Sequence, residues 1–70
     1  MRREPVDSSV LASVGYDPDC HILEIEFRSG SVYAYDDVTP GLHLRLMTAP
    51  SIGSFFDAEI RDIKPFRRVR

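Results

Sequence analysis

Polar and apolar positions alternate most cleanly between His21 and Phe27. Leu23, Ile25 and Phe27 fall on one side, Glu24 and Glu26 on the other. A two-residue period predicts a strand with one covered and one wet face. Ser8 to Tyr16 precedes it as a further strand. Asp17-Pro18-Asp19 lies between them as a turn, in which proline presets φ and the aspartates bond the local backbone. Arg28-Ser29-Gly30 is the next turn, and Ser31 to Asp36 the third strand.

The register of the third strand decides where two tyrosines point. A two-residue turn at Ser29-Gly30 would pair Arg28 with Ser31 and set Tyr33 opposite Glu26, on the wet face. A three-residue turn ending in a left-handed Gly30 would pair Phe27 with Ser31. Tyr33 would then face Ile25 and Tyr35 would face Leu23, on the core side. The second register is preferred, because serine in a left-handed position is costly.

Helical spacing follows. Thr39 caps a helix whose first residue is Pro40, and Leu42, Leu46 and Ala49 form its core stripe. Pro50 ends it near Ala49. Ser51 caps a second short helix that turns Ile52, Phe55, Phe56 and Ile60 inward. The expected fold is α+β: a three-stranded antiparallel meander followed by two short helices packed on one face. Residues 1–5 are expected to be a flexible N-terminus, 6–65 the domain, and 66–70 a basic tail leaving the body.

At 70 residues the chain makes one domain, with 43% hydrophobic residues and a single cysteine. One cysteine excludes an internal disulfide and favours the reducing cytoplasm. No apolar run approaches the roughly 20 residues that span a bilayer, so no membrane role is expected. The net charge of −2 hides an asymmetry. Most of the acids lie in the body, while Arg2, Arg3, Lys64, Arg67, Arg68 and Arg70 lie at the ends.

Candidate chemistry is sparse. Tyr33 and Tyr35 either stack on bases or form a half-buried cross-strand pair. Arg61, Lys64, Arg67, Arg68 and Arg70 form the one basic cluster. If four such cations met a single nucleic-acid strand, log affinity would fall against log salt with a slope of about −3. Cys20, His21 and His43 lack metal-ligand spacing, and neighbours in a strand point apart, so Cys20 and His21 make a poor nucleophilic pair. Glu24 and Glu26 read as solubilising charge. Ser8 and Ser9 either hold a ligand phosphate or tie the strand entry to the backbone. A chain this small has little room for a pocket of ~300–1,000 Å³, and no catalytic role, cofactor or metal is expected.

The ordered residues resemble the KTSC domain. The resemblance rests on Ser8-Ser9, Val14-Gly15-Tyr16-Asp17-Pro18, Leu23-Glu24-Ile25-Glu26-Phe27 with Gly30, and the central Tyr33-Ala34-Tyr35. It continues through Val38, Leu46, Ala49, Ser51, Gly53, Phe55-Phe56 and Ile60-Arg61. Two departures are visible: Thr39 separates Val38 from Pro40, and histidine stands at position 43, where the family often has an aromatic residue. The family occurs at the C-terminus of some lysyl-tRNA synthetases and alone in small bacterial proteins, and the resemblance implies an RNA-associated role. The expected function is therefore a small non-catalytic accessory module that binds RNA through Arg61, Lys64, Arg67, Arg68, Tyr33 and Tyr35. The alternative is a protein-interaction module, monomeric or weakly homodimeric, that uses an open sheet edge.

Overall fold

Two turns set the frame of the sheet. The Asp17 carboxylate accepts from the amides of Asp19 at 3.0 Å and Cys20 at 3.3 Å, folding β2 (Leu11–Asp17) back into β3 (Ile22–Phe27). Gly30 takes φ of 97°, where a side chain would be strained. Around it, Gly30 N–H donates to the Phe27 carbonyl and Phe27 N–H to the Ser31 carbonyl, each at 2.9 Å. This is the three-residue turn, and it leads into β4 (Val32–Tyr35) with Tyr33 opposite Ile25 and Tyr35 opposite Leu23.

The computed structural model describes all 70 residues, and its sheet has five strands, not three. Arg3–Pro5 forms β1 against β2, and Phe66–Arg68 forms β5 against β4. All pairings are antiparallel, in the order β1-β2-β3-β4-β5. The expected flexible start and departing tail are thus both edge strands. Each is only three residues long, too short to show a two-residue period, and is held by pairing to its neighbour. Phe66 packs against the rings of Tyr33 and Tyr35, with centroids 5.8 and 5.7 Å away.

The helical half follows its caps. Thr39 Oγ1 accepts from Leu42 N–H at the start of α1 (Pro40–Met47), and Ser51 Oγ accepts from Ser54 N–H at the start of α2 (Ile52–Phe56). α1 stops slightly before the point expected from Pro50, with Thr48 returning its hydroxyl to the Leu44 carbonyl. α2 runs on into a π-helical turn over Asp57–Arg61. Both helices cover one side of the sheet. Leu11, Val14, Leu23, Ile25 and Tyr35 meet Val38, Leu46, Phe56 and Ile60 there in a single core. Phe56 is its hub, edge-on to Tyr35 at 5.2 Å and to Phe27 at 5.7 Å.

The other side carries a row that crosses every strand: Arg3, Gly15, Glu24, Ala34, Arg67. Small residues on β2 and β4 leave room for long ones on their neighbours. Arg3 passes over Gly15 to pair with Glu24. Glu26 accepts from Ser13 Oγ at 2.8 Å and from Arg70 at 3.4 Å. Glu24 and Glu26 are therefore half-covered ion-pair partners, where a three-stranded sheet would have left them in water. No helix is long and apolar enough to cross a membrane.

Candidate functional site

Two adjoining clefts open where the helical half meets the sheet. The first, about 480 Å³, lies between the Ser8-Ser9 bend and the start of α2. Its walls bring together Ser8, Ser51, Ser54 and Gly53, with Phe27 and Phe56 among the apolar residues. Ser8 Oγ accepts from the amides of Val10 and Leu11, each at 3.2 Å, so this hydroxyl ties the strand entry to the backbone. A Cβ on Gly53 would sit 3.2 Å from that oxygen, so glycine lets α2 approach the bend. Asp7, Asp57 and Arg61 supply the charge.

The second cleft, about 410 Å³, is lined by Phe27, Tyr33, Tyr35 and Phe66, with Ser31, Arg61 and Asp62 among its polar walls. β4 and β5 place these rings on one face through the pairs Tyr35–Phe66 and Tyr33–Arg68. The π-helical turn carries Arg61, which borders both clefts. Clefts of this size were not expected from a chain this short. They arise because the two helices cover only part of a five-stranded face.

The tyrosines divide. Tyr35 is 3% exposed, with its ring against Phe56 and Phe66. Burial raises its phenol pKa, and the neighbouring rings cover its faces, which leaves little of it free to stack on a base. Tyr35 lines the floor of the cleft as part of the core. Tyr33 is half-buried, edge-on to Phe27 at 5.7 Å, and remains on the cleft wall. Phe66, 56% exposed, joins it there. Sequence reasoning missed Phe66, although it is the one aromatic residue in the basic C-terminal segment.

The basic cluster is largely neutralised within the chain. Arg61 pairs with Asp57 at 2.9 Å, Lys64 with Asp37 at 3.9 Å, Arg67 with Asp36 at 3.1 Å and Arg70 with Glu26 at 3.4 Å. Arg68 has no carboxylate partner and reaches Ser31 Oγ at 3.4 Å. The acidic body supplies these partners, and the five cations do not form one free patch. Arg61 and Arg68 stay beside the aromatic cleft, while Arg67 and Arg70 serve the opposite face.

The remaining candidates lie elsewhere. Cys20 is exposed, and a hydrogen bond with Asp17 pushes its thiol pKa up, which disfavours the reactive thiolate. His43 lies flat on Tyr16, with centroids 4.3 Å apart. No three His, Cys, Asp or Glu side chains gather as a metal site, and neither cleft is lined by histidine or cysteine.

Comparison with known proteins places this arrangement in context. The KTSC domain family model matches residues 7–64. An uncharacterized protein of Stutzerimonas stutzeri is 46% identical over 57 residues, covering 81% of this chain and 80% of that protein. A lysine–tRNA ligase of Nostoc punctiforme is 40% identical over 63 residues, which are 90% of this chain but 11% of the ligase. The crystal structure of a KTSC domain protein from Yersinia pestis superposes with a TM-score of 0.95 at 42% identity, covering 99% of this chain and 97% of that one.

Proposed function

The chain belongs to the KTSC domain family, and from that premise we propose that it is a non-catalytic accessory module that binds single-stranded RNA in the aromatic cleft. One observation carries the reading: Tyr33 and Phe66 share a cleft with Arg61, and Arg68 is tethered to Ser31 on its wall. Bases stack on such rings and phosphates pair with guanidinium groups. A relative that forms part of a lysine–tRNA ligase adds support. The non-catalytic half of the reading rests on clefts lined by serines, carboxylates and Arg61, with no histidine, cysteine or lysine among their walls. The single exposed thiol, Cys20, suits a cytoplasmic setting.

The test is a fluorescence anisotropy titration with an unstructured RNA oligonucleotide. Wild type is compared with a Tyr33→Ala/Phe66→Ala double variant whose fold is checked by amide NMR. Each stacked base contributes about 1–3 kcal/mol, so the double variant loses at least about fivefold in affinity. Equal binding by both proteins, or none by wild type, overturns the reading.

A second reading has its own observation. β5 is an edge strand, and Phe66 within it and Val69 just beyond it are both more than half exposed, which suits strand addition by a partner protein or a second copy. Light scattering across a concentration series separates a homodimer from a monomer.

A further inference from the structure

The two clefts are contiguous. Phe27 and Arg61 line both, so these two side chains stand between them. Asp57 engages Nη1 of the Arg61 guanidinium, and no other hydrogen bond to the protein uses its remaining donors. The two clefts differ in chemistry. One offers the rings of Tyr33 and Phe66. The other offers hydroxyls from Ser9 and Ser54 with the carboxylates of Asp7 and Asp57, while Ser51 spends its hydroxyl on capping α2 and on Ser54 Oγ. Aromatic faces suit a base. Carboxylates and hydroxyls accept from sugar hydroxyls and exocyclic amines. A guanidinium between them suits a linking phosphate.

We propose that the clefts act as one groove for two adjacent unpaired ribonucleotides. One base lies against Tyr33 and Phe66, the linking phosphate at Arg61, and the neighbouring ribose in the serine-lined cleft. The volumes agree with this assignment, since each cleft falls within the ~300–1,000 Å³ of ordinary small-ligand sites. The inference rests on the RNA reading above and adds to it a site size of two nucleotides, a polarity across Arg61, and a role for the serine-lined cleft. It also predicts a ribose preference, with the deoxydinucleotide binding more weakly than the ribodinucleotide, because the carboxylates of Asp7 and Asp57 can accept from a 2′-hydroxyl that DNA lacks.

The experiment is a length series on the full chain: a ribomononucleotide, a ribodinucleotide, the matching deoxydinucleotide and an eight-nucleotide RNA, each titrated by amide NMR. The dinucleotide binds about fivefold more tightly than the mononucleotide, the worth of roughly one net hydrogen bond of about 1 kcal/mol in the serine-lined cleft. It shifts amides at Ser8–Ser9 and Ser51–Ser54 together with those at Ser31–Tyr33. Ser54→Trp, which fills the serine-lined cleft from an exposed position, brings the dinucleotide down to mononucleotide affinity; Ser9→Trp serves if that protein misfolds. If the eight-nucleotide RNA binds but the dinucleotide gains nothing over the mononucleotide, or leaves the serine-cleft amides unmoved, the two-nucleotide groove is wrong while RNA binding stands. If no RNA of any length binds, both readings fall.

Discussion

Gly15 lies directly beneath the side chain of Arg3: a Cβ added at position 15 would stand 2.9 Å from Arg3 Cγ and 3.0 Å from the Arg2 carbonyl. The reach of Arg3 to Glu24 across β2 therefore depends on the missing side chain. Gly15→Ala forces either the arginine or the backbone of β1 to move, an overpacking cost of about 1–3 kcal/mol. Hydrogen exchange is expected to show the amides of β1 losing protection while those of β3 keep theirs. Uniform loss across the sheet, or none, contradicts the account.

Tyr16 sends its hydroxyl to the Val38 carbonyl at 2.6 Å, joining the end of β2 to the entry of α1. Tyr16→Phe keeps the ring and removes the donor. The expected loss is about 1 kcal/mol, which in a domain of this size lowers the melting temperature by about 4–8 °C. An unchanged melting temperature would show that water replaces the bond at no cost.

His43 gives the domain a pH dependence. Burial against Tyr16 lowers its pKa, and Glu4 opposes that shift only in part. The folded chain therefore prefers neutral imidazole. Its contribution to stability is complete above the unfolded value of about 6.5 and is lost as pH falls through the depressed folded value. Wild type should show a lower urea midpoint at pH 5.5 than at pH 7, and His43→Phe, which keeps a flat ring there, should show a smaller drop. Equal drops in both proteins would remove His43 as the cause.

Cation pairing within the chain sets a salt dependence for RNA binding. Lys64, Arg67 and Arg70 are engaged by Asp37, Asp36 and Glu26, so the cations beside the cleft are Arg68 and Arg61, the latter shared with Asp57 through one of its nitrogens. Two phosphate contacts give a slope of log affinity on log salt of about −1.4 for a single strand. Anisotropy at 50, 100 and 200 mM salt (about the range in which such slopes are read) measures it. A slope near −3 means that the internal pairs break on binding, and the assignment of contacts fails.

The sheet centre and both helix caps were legible because their signals are local. Gly30 after Arg28-Ser29 fixes a turn, the turn fixes the register, and the register puts Tyr33 and Tyr35 over Ile25 and Leu23. Thr39 and Ser51 each precede a stretch with helical spacing, and both cap it. The edge strands were not legible. Arg3-Glu4-Pro5 and Phe66-Arg67-Arg68 are short and charged, and their pairing comes from strands elsewhere in the chain. A clue was present: a three-stranded sheet leaves the outer flank of β4 bare, and Phe66 was the free aromatic residue able to cover it. The clefts were illegible for a similar reason. Ser8, Gly53 and Arg61 each carried part of the family resemblance, but only the folded chain makes them neighbours. The four ion pairs along the basic segment were hidden too, because net charge counts cations without saying which acid sits beside them.

The remote partner of β4 has a consequence for assembly of the chain. β2, β3 and β4 each pair with a sequence neighbour, whereas β5 must wait until α1, α2 and the π-helical turn lie between it and its mate. As the polypeptide leaves the ribosome, Tyr33 and the outer flank of β4 stay unshielded until β5 emerges. That last-closing flap is also the piece with the fewest buried anchors, so it is the natural place for the native domain to unlatch first.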